Sequence, residues 1–334
     1  MTVQVKYVNG MPLYRQEKDW LQYGFELSRA TMANWVIECT DKYLRVLYEF
    51  YHRLLLSREF AMADESPIQV LKEEGREATA KSYMWLFRSG EDDTPPIVLY
   101  KYASTRRGDV AKEFLKGFNG YLMADGYTGY NKVQDIKRCC CFAHIRRYFF
   151  DAIPKGKNRD NSCPAVQGVE YCDKLFAYER HFKEKGYSYK QIKNGRLKKE
   201  KPVIEAFLSW LEKQKPIKGS KFATAVTYAL NRKEHMMTYL EDGRCSLSNN
   251  LSEQKMKSYV IGRKGWLFSD SPEGAEASAI SYSIAETALV NGLNVYKYIT
   301  YVLEKRPTEE MADSELEKLL PWNDKVFEIC KIER

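Results

Sequence analysis

Two aspartates in the first half of the chain have the surroundings of metal-binding carboxylates. Asp64 follows the apolar run 60–63 and Asp125 follows the apolar run 121–124, so each lies at or near the end of a predicted β-strand. A carboxylate among apolar strand residues must be paired, solvated or bound to a metal, because burying it alone is costly. Two such carboxylates on neighbouring strands would repel each other unless a cation lay between them. Oxygen ligands of this kind suit Mg²⁺ or Mn²⁺ better than Zn²⁺.

A third acid, Glu253, lies in the first turn of a predicted helix that begins near Asn250. Two structural interpretations compete with a metal-ligand role. Asn250 followed three residues later by Glu253 has the spacing of a capping box, and Glu253 with Lys257 has the spacing of a surface ion pair. The spacing alone leaves all three interpretations open.

Three consecutive cysteines, 139–141, precede His144. Adjacent residues on a strand point to opposite faces, so the three thiols cannot all bind one ion. We therefore interpret this segment as a buried strand followed by a histidine at a helix start. The chain has 8 cysteines and no Cys-x-x-Cys pair, which argues against a disulfide scaffold and against finger-type zinc sites.

The pattern of apolar and turn-forming residues predicts the elements that position these side chains. Strands are predicted over 60–64, 68–71, 82–87, 97–100, 120–125 and 138–143, with a helix over 109–115. Helical periodicity predicts two helices within the first 56 residues and others over 202–213, 221–240, 250–258, 272–291 and 294–305. Strands that first form a meander and then alternate with helices indicate an α/β fold with a mixed sheet.

The composition is that of a globular protein with a mild basic excess. The 334 residues include 53 Lys and Arg against 45 Asp and Glu, a formal net charge of +8. This excess permits a polyanionic partner and is equally typical of an ordinary solvated surface. We expect a cytoplasmic protein without membrane association, since no apolar run approaches the roughly 18–20 residues that span a bilayer and the N-terminus lacks a signal pattern.

Six blocks of the sequence resemble the insertion-sequence-66 family of transposases. They are ADESPIQVL at 63–71, YLMADGYTGY at 121–130, CFAHIRRYF at 141–149, DGR at 242–244 with NNLSE at 249–253, IGRKGWLFS at 261–269, and a C-terminal set at 286–294 and 319–322. The blocks occur in the order of the family and extend over nearly the whole chain.

The resemblance implies a ribonuclease-H-like fold, with a mixed sheet, flanking helices, a helical insertion and a helical C-terminal element. It also implies an Asp-Asp-Glu triad of Asp64, Asp125 and Glu253, which would bind Mg²⁺, or Mn²⁺ as a substitute, and support DNA cleavage and strand transfer by two-metal chemistry. The residues that would contact DNA are His144, Arg146, Arg147, Arg263, Lys264 and Trp266. The structural alternative for the basic and aromatic residues is a solvated face with the aromatic ring packed inward.

Further expectations concern organisation and partners. We expect an N-terminal helical region (1–56), the first part of the core (57–153), a helical insertion (154–245), the third-acid helix (246–270) and a C-terminal element (271–334). The family pattern begins upstream of Met1, so we expect this chain to lack the usual zinc-binding module and coiled coil. DNA, a homo-oligomer assembled on DNA and small accessory proteins of the same element are the implied partners.

Two other functions stay open at this level. The chain could be a catalytically inactive DNA-binding remnant of a transposable element, or a ribonuclease-H-like nuclease that acts on another nucleic acid.

Overall fold

A computed structural model describes residues 1–154 and 163–333, and its centre is a five-stranded mixed sheet in the order β3-β2-β1-β4-β5. The strands are β1 (Phe60–Gln69), β2 (Lys81–Ser89), β3 (Val98–Ala103), β4 (Tyr121–Ala124) and β5 (Lys137–Cys140). The first three strands form an antiparallel meander, and β1, β4 and β5 are parallel to one another. This arrangement confirms the expected mixed α/β fold and is consistent with a ribonuclease-H-like core.

The strands expected separately over 60–64 and 68–71 are one strand, and that expectation was wrong. β1 pairs with β2 without interruption from Ala61 to Gln69. On its other side it pairs with β4 only through Phe60–Met62. Between Met62 and Gln69, where Ser269 begins to pair, this edge of β1 has no strand beside it among the described residues, so Pro67 can lie in β1 although it has no N–H to donate.

Helices cover both faces of the sheet and one of its edges. They are α1 (Thr2–Tyr7), α2 (Leu13–Gln22), α3 (Arg29–Cys39), α4 (Arg45–Leu56), α5 (Asp109–Phe114), α6 (Phe142–Asp151), α7 (Pro164–Glu184), α8 (Tyr189–Gly195), α9 (Lys201–Glu212), α10 (Lys221–Leu230), α11 (Asn250–Trp266), α12 (Pro272–Val290), α13 (Val295–Lys305), α14 (Asp313–Leu316) and α15 (Asp324–Cys330). Single π-helical turns join α3 to α4 and α8 to α9. Within the described ranges, no helix combines the length and apolar character that a bilayer span requires.

Side chains alternate between two cores on opposite faces of the sheet. The first core contains Ala61 and Ala63 of β1 and the rings of Trp85 and Tyr100, and it packs against α4 and α12. The second core contains Phe60 and Met62 and packs against α6, α7, α9 and α10. Odd-numbered and even-numbered residues of β1 thus pack against different sets of helices.

Helix α12 covers the outer edge of β3. The backbone N–H groups of Val98 and Tyr100 donate to the hydroxyls of Thr287 and Ser283 at 3.0 and 2.7 Å. These bonds satisfy donors that would otherwise lie on an unpaired strand edge. Small polar residues on α12 thereby close this edge of the sheet.

The helix expected over 221–240 ends at Leu230. The carbonyl of Tyr228 accepts from Nη1 of Arg232 at 2.6 Å, while the Arg232 N–H turns back to the Ala229 carbonyl at 3.0 Å. Short 3₁₀ turns follow at Lys233–His235 and Thr238–Glu241. The Arg232 side chain therefore occupies the acceptor that the next helical N–H would need.

A buried ionic cluster lies within the basic run 190–201. The guanidinium of Arg196 is 2% exposed and donates to Glu179 as well as to the carbonyls of Tyr239, Asp242 and Cys245. It fastens the segment that leads toward Glu253 to the helices of residues 163–230. The stretch 155–162 of the expected insertion lies outside the described residues.

Glu200 is the acid of this cluster whose charge is least compensated. Its Oε2 accepts from the Tyr239 hydroxyl at 2.6 Å, whereas its buried Oε1 has no hydrogen-bond partner among the described residues. Burial and the neighbouring Glu179 raise the pKa of Glu200 from 4.5 to about 8.

We expect Glu200→Gln to remove a pH-dependent loss of stability. A folded-state pKa above the unfolded value means that the folded chain binds the proton more tightly. The free energy of unfolding therefore falls as pH rises from about 4.5 to 8, by on the order of 5 kcal/mol in total. Urea unfolding of both proteins at pH 6 and pH 9 measures this difference. Glu205→Gln, on the exposed side of α9, is the matched control, and equal pH slopes for the wild type and Glu200→Gln would contradict the assignment.

Candidate metal-dependent site

Asp64 and Asp125 lie level with each other on neighbouring parallel strands. The register pairs Met62 with Met123, and continuing it by two residues brings Asp64 opposite Asp125. Both methionines face the second core, so the two aspartates extend toward the same face of the sheet. Neighbouring strands are about 4.8 Å apart, which places these two acids side by side at the carboxyl ends of their strands.

The Asp64 carboxyl lies in a largely buried position beside other acids. Burial and the charge of Glu65 raise its pKa to about 8, with further contributions from Asp125 and Glu253. Its Oδ1 accepts from the Glu65 N–H at 2.9 Å, and Oδ1 of Asp125 accepts from the Tyr127 N–H at 2.8 Å. These backbone donors orient the two carboxyl groups without neutralising either charge.

Glu65, the acid next to Asp64 on β1, points to the opposite face and has its own partners. Nη2 of Arg106 donates to its Oε1 at 2.6 Å and the Tyr130 hydroxyl to its Oε2 at 2.5 Å. Its side chain is 2% exposed. Glu65 therefore has a cationic partner in Arg106, whereas Asp64 forms no ion pair within the described residues.

Helix α11 brings Glu253 to this part of the sheet. The buried Asn249, directly before α11, donates from Nδ2 to the Ala63 carbonyl at 2.8 Å and from its N–H to Sγ of Cys141 at 3.2 Å. Asn249 is the N-cap of α11, so Glu253 is the fourth residue of the helix. The capping-box position is the third residue, which Glu253 does not occupy. Its Oε2 instead lies 3.3 Å from Nη2 of Arg147.

The polar side chains of helix α6 face two different partners. His144 and Arg147 face Glu253, with Nδ1 of His144 3.6 Å from its Oε1. Burial lowers the pKa of His144 and favours the neutral imidazole. Arg146 points away and pairs with Asp173 of α7 at 2.5 Å.

The remaining predicted contacts lie at the far end of α11. Arg263, Lys264 and Trp266 come ten to thirteen residues after Glu253, or about 15–20 Å along the helix. The Trp266 ring packs 6.3 Å from Tyr282, with Nζ of Lys6 over its face. The structure therefore places these three residues outside the carboxylate cluster.

Two arginines that the sequence did not single out hold the loop after β4. Nη2 of Arg138 donates to the Asp125 carbonyl at 2.9 Å, and Nη2 of Arg232 donates to the Gly126 carbonyl at 2.5 Å. A Cβ atom at position 126 would overlap the Arg232 guanidinium, so a larger residue there would displace this side chain. Gly126 after Asp125 was a local signal for a close approach, but nothing near residue 232 identified its partner.

The donor set of Asp64 and Asp125 fits a hard divalent ion. Both offer carboxylate oxygens, and the raised pKa of Asp64 reflects first its burial and then neighbouring negative charges, which a cation would compensate. Asp64, Asp125 and Glu253 do not form a group in which the ligand atoms all lie within 4.8 Å of one another. Within 1–154 and 163–333, the group of three ligand atoms all within 4.8 Å of one another is instead that of Cys141, His144 and Glu253.

Family models match almost the entire chain. The model described as "Transposase IS66 family" matches residues 1–277, and that described as "IS66 C-terminal element" matches residues 283–322. The chain belongs to the IS66 family of transposases.

Two similar proteins from Sinorhizobium fredii are each described as an "Uncharacterized protein". The protein y4qI is 30% identical, with 96% of this chain and 61% of y4qI covered. The protein y4jD is 28% identical, with 97% of this chain and 65% of y4jD covered. The chain thus spans about three fifths of the length of the curated relatives that it matches.

We expect Asn249→Ala to destabilise the protein by about 1–3 kcal/mol, because it removes a buried hydrogen bond and leaves the Ala63 carbonyl unsatisfied. Thermal and urea unfolding measure the loss. Asn231→Ala, an exposed asparagine at the end of α10, is the control and should change stability by less than about 0.5 kcal/mol. Equal stability of Asn249→Ala and the wild type would show that this bond does not hold α11 against β1.

Proposed function

We propose that this chain is the catalytic core of a DNA transposase that cleaves the ends of an insertion sequence and joins them to target DNA. The observation that carries the proposal is the level placement of Asp64 and Asp125 on adjacent parallel strands, with α11, the helix that carries Glu253, anchored through Asn249 to the residue before Asp64. The charges of Asp125 and Glu253 both act on the Asp64 carboxyl.

The proposed metal ligands are Asp64, Asp125 and Glu253, and the proposed ion is Mg²⁺, with Mn²⁺ as a substitute. When bound, such ions activate a water or a DNA 3′-hydroxyl and stabilise the leaving oxygen at phosphorus. Asp64 and Asp125 are held for this task by backbone N–H groups on Oδ1. Glu253 approaches from the helix opposite, with Arg147 beside its Oε2.

The proposed DNA contacts fall into two groups. His144 and the half-exposed Arg147 lie at the carboxylates, where the guanidinium can pass from Glu253 to a phosphate oxygen. Arg263 and Lys264 lie along α11 at a distance that suits flanking DNA. The packed Trp266 would position these two residues rather than stack on a base, and Arg146 would act through its pair with Asp173.

Residues 154–245 are proposed to be an insertion that supports the site from outside the sheet, since Arg232 reaches the loop after Asp125. We propose that the active form is a homo-oligomer on DNA, which would bring the two element ends together. Small accessory proteins of the same element and a nucleoid-associated, cytoplasmic location complete the proposal.

We expect Asp64→Asn, Asp125→Asn and Glu253→Gln each to lower metal-dependent DNA cleavage by on the order of 10²–10³-fold, because each removes a proposed ligand of the ion that carries the transition-state charge. The assay uses labelled duplexes with the ends of the encoding element, in Mg²⁺ and in Mn²⁺. Asp109→Asn, an exposed acid paired with Lys132, is the matched control and should keep wild-type cleavage.

The other outcomes distinguish the alternative functions. Salt-sensitive binding to DNA without cleavage in either metal would identify an inactive DNA-binding remnant. Faster cleavage of an RNA–DNA hybrid than of element ends would identify a nuclease of another substrate class. Equal cleavage by all three triad variants and the wild type would overturn the assignment of the site.

We expect Arg232→Ala to raise the Mn²⁺ concentration for half-maximal cleavage by about 10-fold, because it frees the Gly126 carbonyl and loosens the loop that carries Asp125. DNA affinity at a fixed metal concentration should change by less than about 3-fold. Lys233→Ala, the exposed neighbouring residue, is the control. An unchanged metal requirement in Arg232→Ala would contradict the positioning role.

A further inference from the structure

The contact between α6 and α11 gathers three side chains of different ligand chemistry. The thiol of Cys141, the imidazole of His144 and the carboxylate of Glu253 each contribute one ligand atom, and these atoms all lie within 4.8 Å of one another. Cys141 and His144 come from the start of α6 with a Cys-x-x-His spacing, and Glu253 comes from the first turn of α11. Of the three consecutive cysteines, it is Cys141 that belongs to this group.

The Cys141 sulfur is surrounded by backbone donors. The Asn249 N–H donates to Sγ at 3.2 Å. Burial raises the pKa of the thiol to about 11, and the backbone N–H groups of Asn249, His144 and Ala143 oppose that rise. Donors from two separate chain segments thus converge on one sulfur at the amino-terminal end of α6, where they offset part of the cost of burying a thiolate.

The other two ligand atoms face each other without a hydrogen bond. Nδ1 of His144 and Oε1 of Glu253 are both buried, and neither has a hydrogen-bond partner in the described part of the chain. They are 3.6 Å apart, which exceeds the 2.7–3.2 Å of a hydrogen bond. Ligands about 2.0–2.3 Å from a tetrahedral ion are roughly 3.3–3.7 Å from each other, so this separation matches two corners of such a site.

We propose that Cys141, His144 and Glu253 bind a thiophilic divalent ion of the Zn²⁺ class, distinct from the hard ion proposed at Asp64 and Asp125, with Glu253 as a ligand common to both. Thiolate and imidazole ligands select such an ion over Mg²⁺. Binding transfers the thiol proton to solvent and leaves a fourth coordination position for water. The ion joins α6 to α11 and fixes the position of Glu253.

Cobalt spectroscopy on the full chain tests this site directly. The protein is treated with chelator under reducing conditions and titrated with Co²⁺, which reports a bound thiolate through a charge-transfer absorption band. We expect the band to saturate at one Co²⁺ per chain and to disappear on addition of one equivalent of Zn²⁺. A wild-type protein without this band would overturn the proposal, whatever the variants show.

Variants assign the ligands. Cys141→Ser and His144→Ala should abolish the band or weaken Co²⁺ binding at least about 100-fold, and Glu253→Gln should weaken it by about 10-fold or more. Cys39→Ser, a half-buried cysteine of α3, is the control that keeps the band. Circular dichroism confirms that each variant is folded. A band that survives in folded Cys141→Ser would overturn the assignment.

The site can be tested apart from the proposed transposase activity. Asp64→Asn and Asp125→Asn should lose DNA cleavage and keep the cobalt band, because neither residue contributes to the thiolate site. Loss of the band in these two variants would show that the ion binds at the triad instead, and would overturn a separate site. Absence of cleavage in the wild type, with the band present, would overturn the proposed function alone.

Discussion

The hydrogen bond from the Asn249 amide to the Ala63 carbonyl joins parts of the chain that are 186 residues apart. It fixes α11 against β1 at the residue before Asp64, and Glu253 lies one helical turn after Asn249. Carboxylates repel one another, so their own interactions cannot gather them in a partly buried position. Backbone and amide hydrogen bonds must supply that order before any cation arrives, and the rest of the site depends on this contact.

The helices that follow α6 extend this support on the face of the sheet to which the two aspartates extend. Arg196 holds the carbonyls of Tyr239, Asp242 and Cys245, which lie in the segment between α10 and α11. Arg232 meanwhile reaches the loop after Asp125. A buried arginine that satisfies several carbonyls is costly to displace, because each acceptor would be left unpaired. These contacts limit movement of the second and third acids relative to β1.

Much of the central sheet could be predicted from the sequence, because apolar runs, turn residues and strand length are local properties. Asp64 and Asp125 stood out for the same reason, as acids at strand ends. The single strand Phe60–Gln69 was missed, since Ser66 and Pro67 resemble a break and only the short partner β4 makes them acceptable there. Arg196 and Arg232 were not identified because their partners are distant in sequence. Which side chains lie beside Glu253 likewise depends on tertiary packing, and the spacing of residues along the sequence does not reveal it.

Glu253 has one oxygen toward each of two environments. Its Oε2 is beside the half-exposed Arg147, and its Oε1 is beside the buried His144. A ligand bound at one oxygen changes the position and charge available at the other. If one ion alters the affinity for a second through this carboxylate, thermodynamic linkage requires the reverse effect to be equal. Glu253 is therefore the group through which a thiolate-bound ion and an ion at Asp64 and Asp125 would influence each other. The thiolate of Cys141 would determine which metal ion binds at the site with His144.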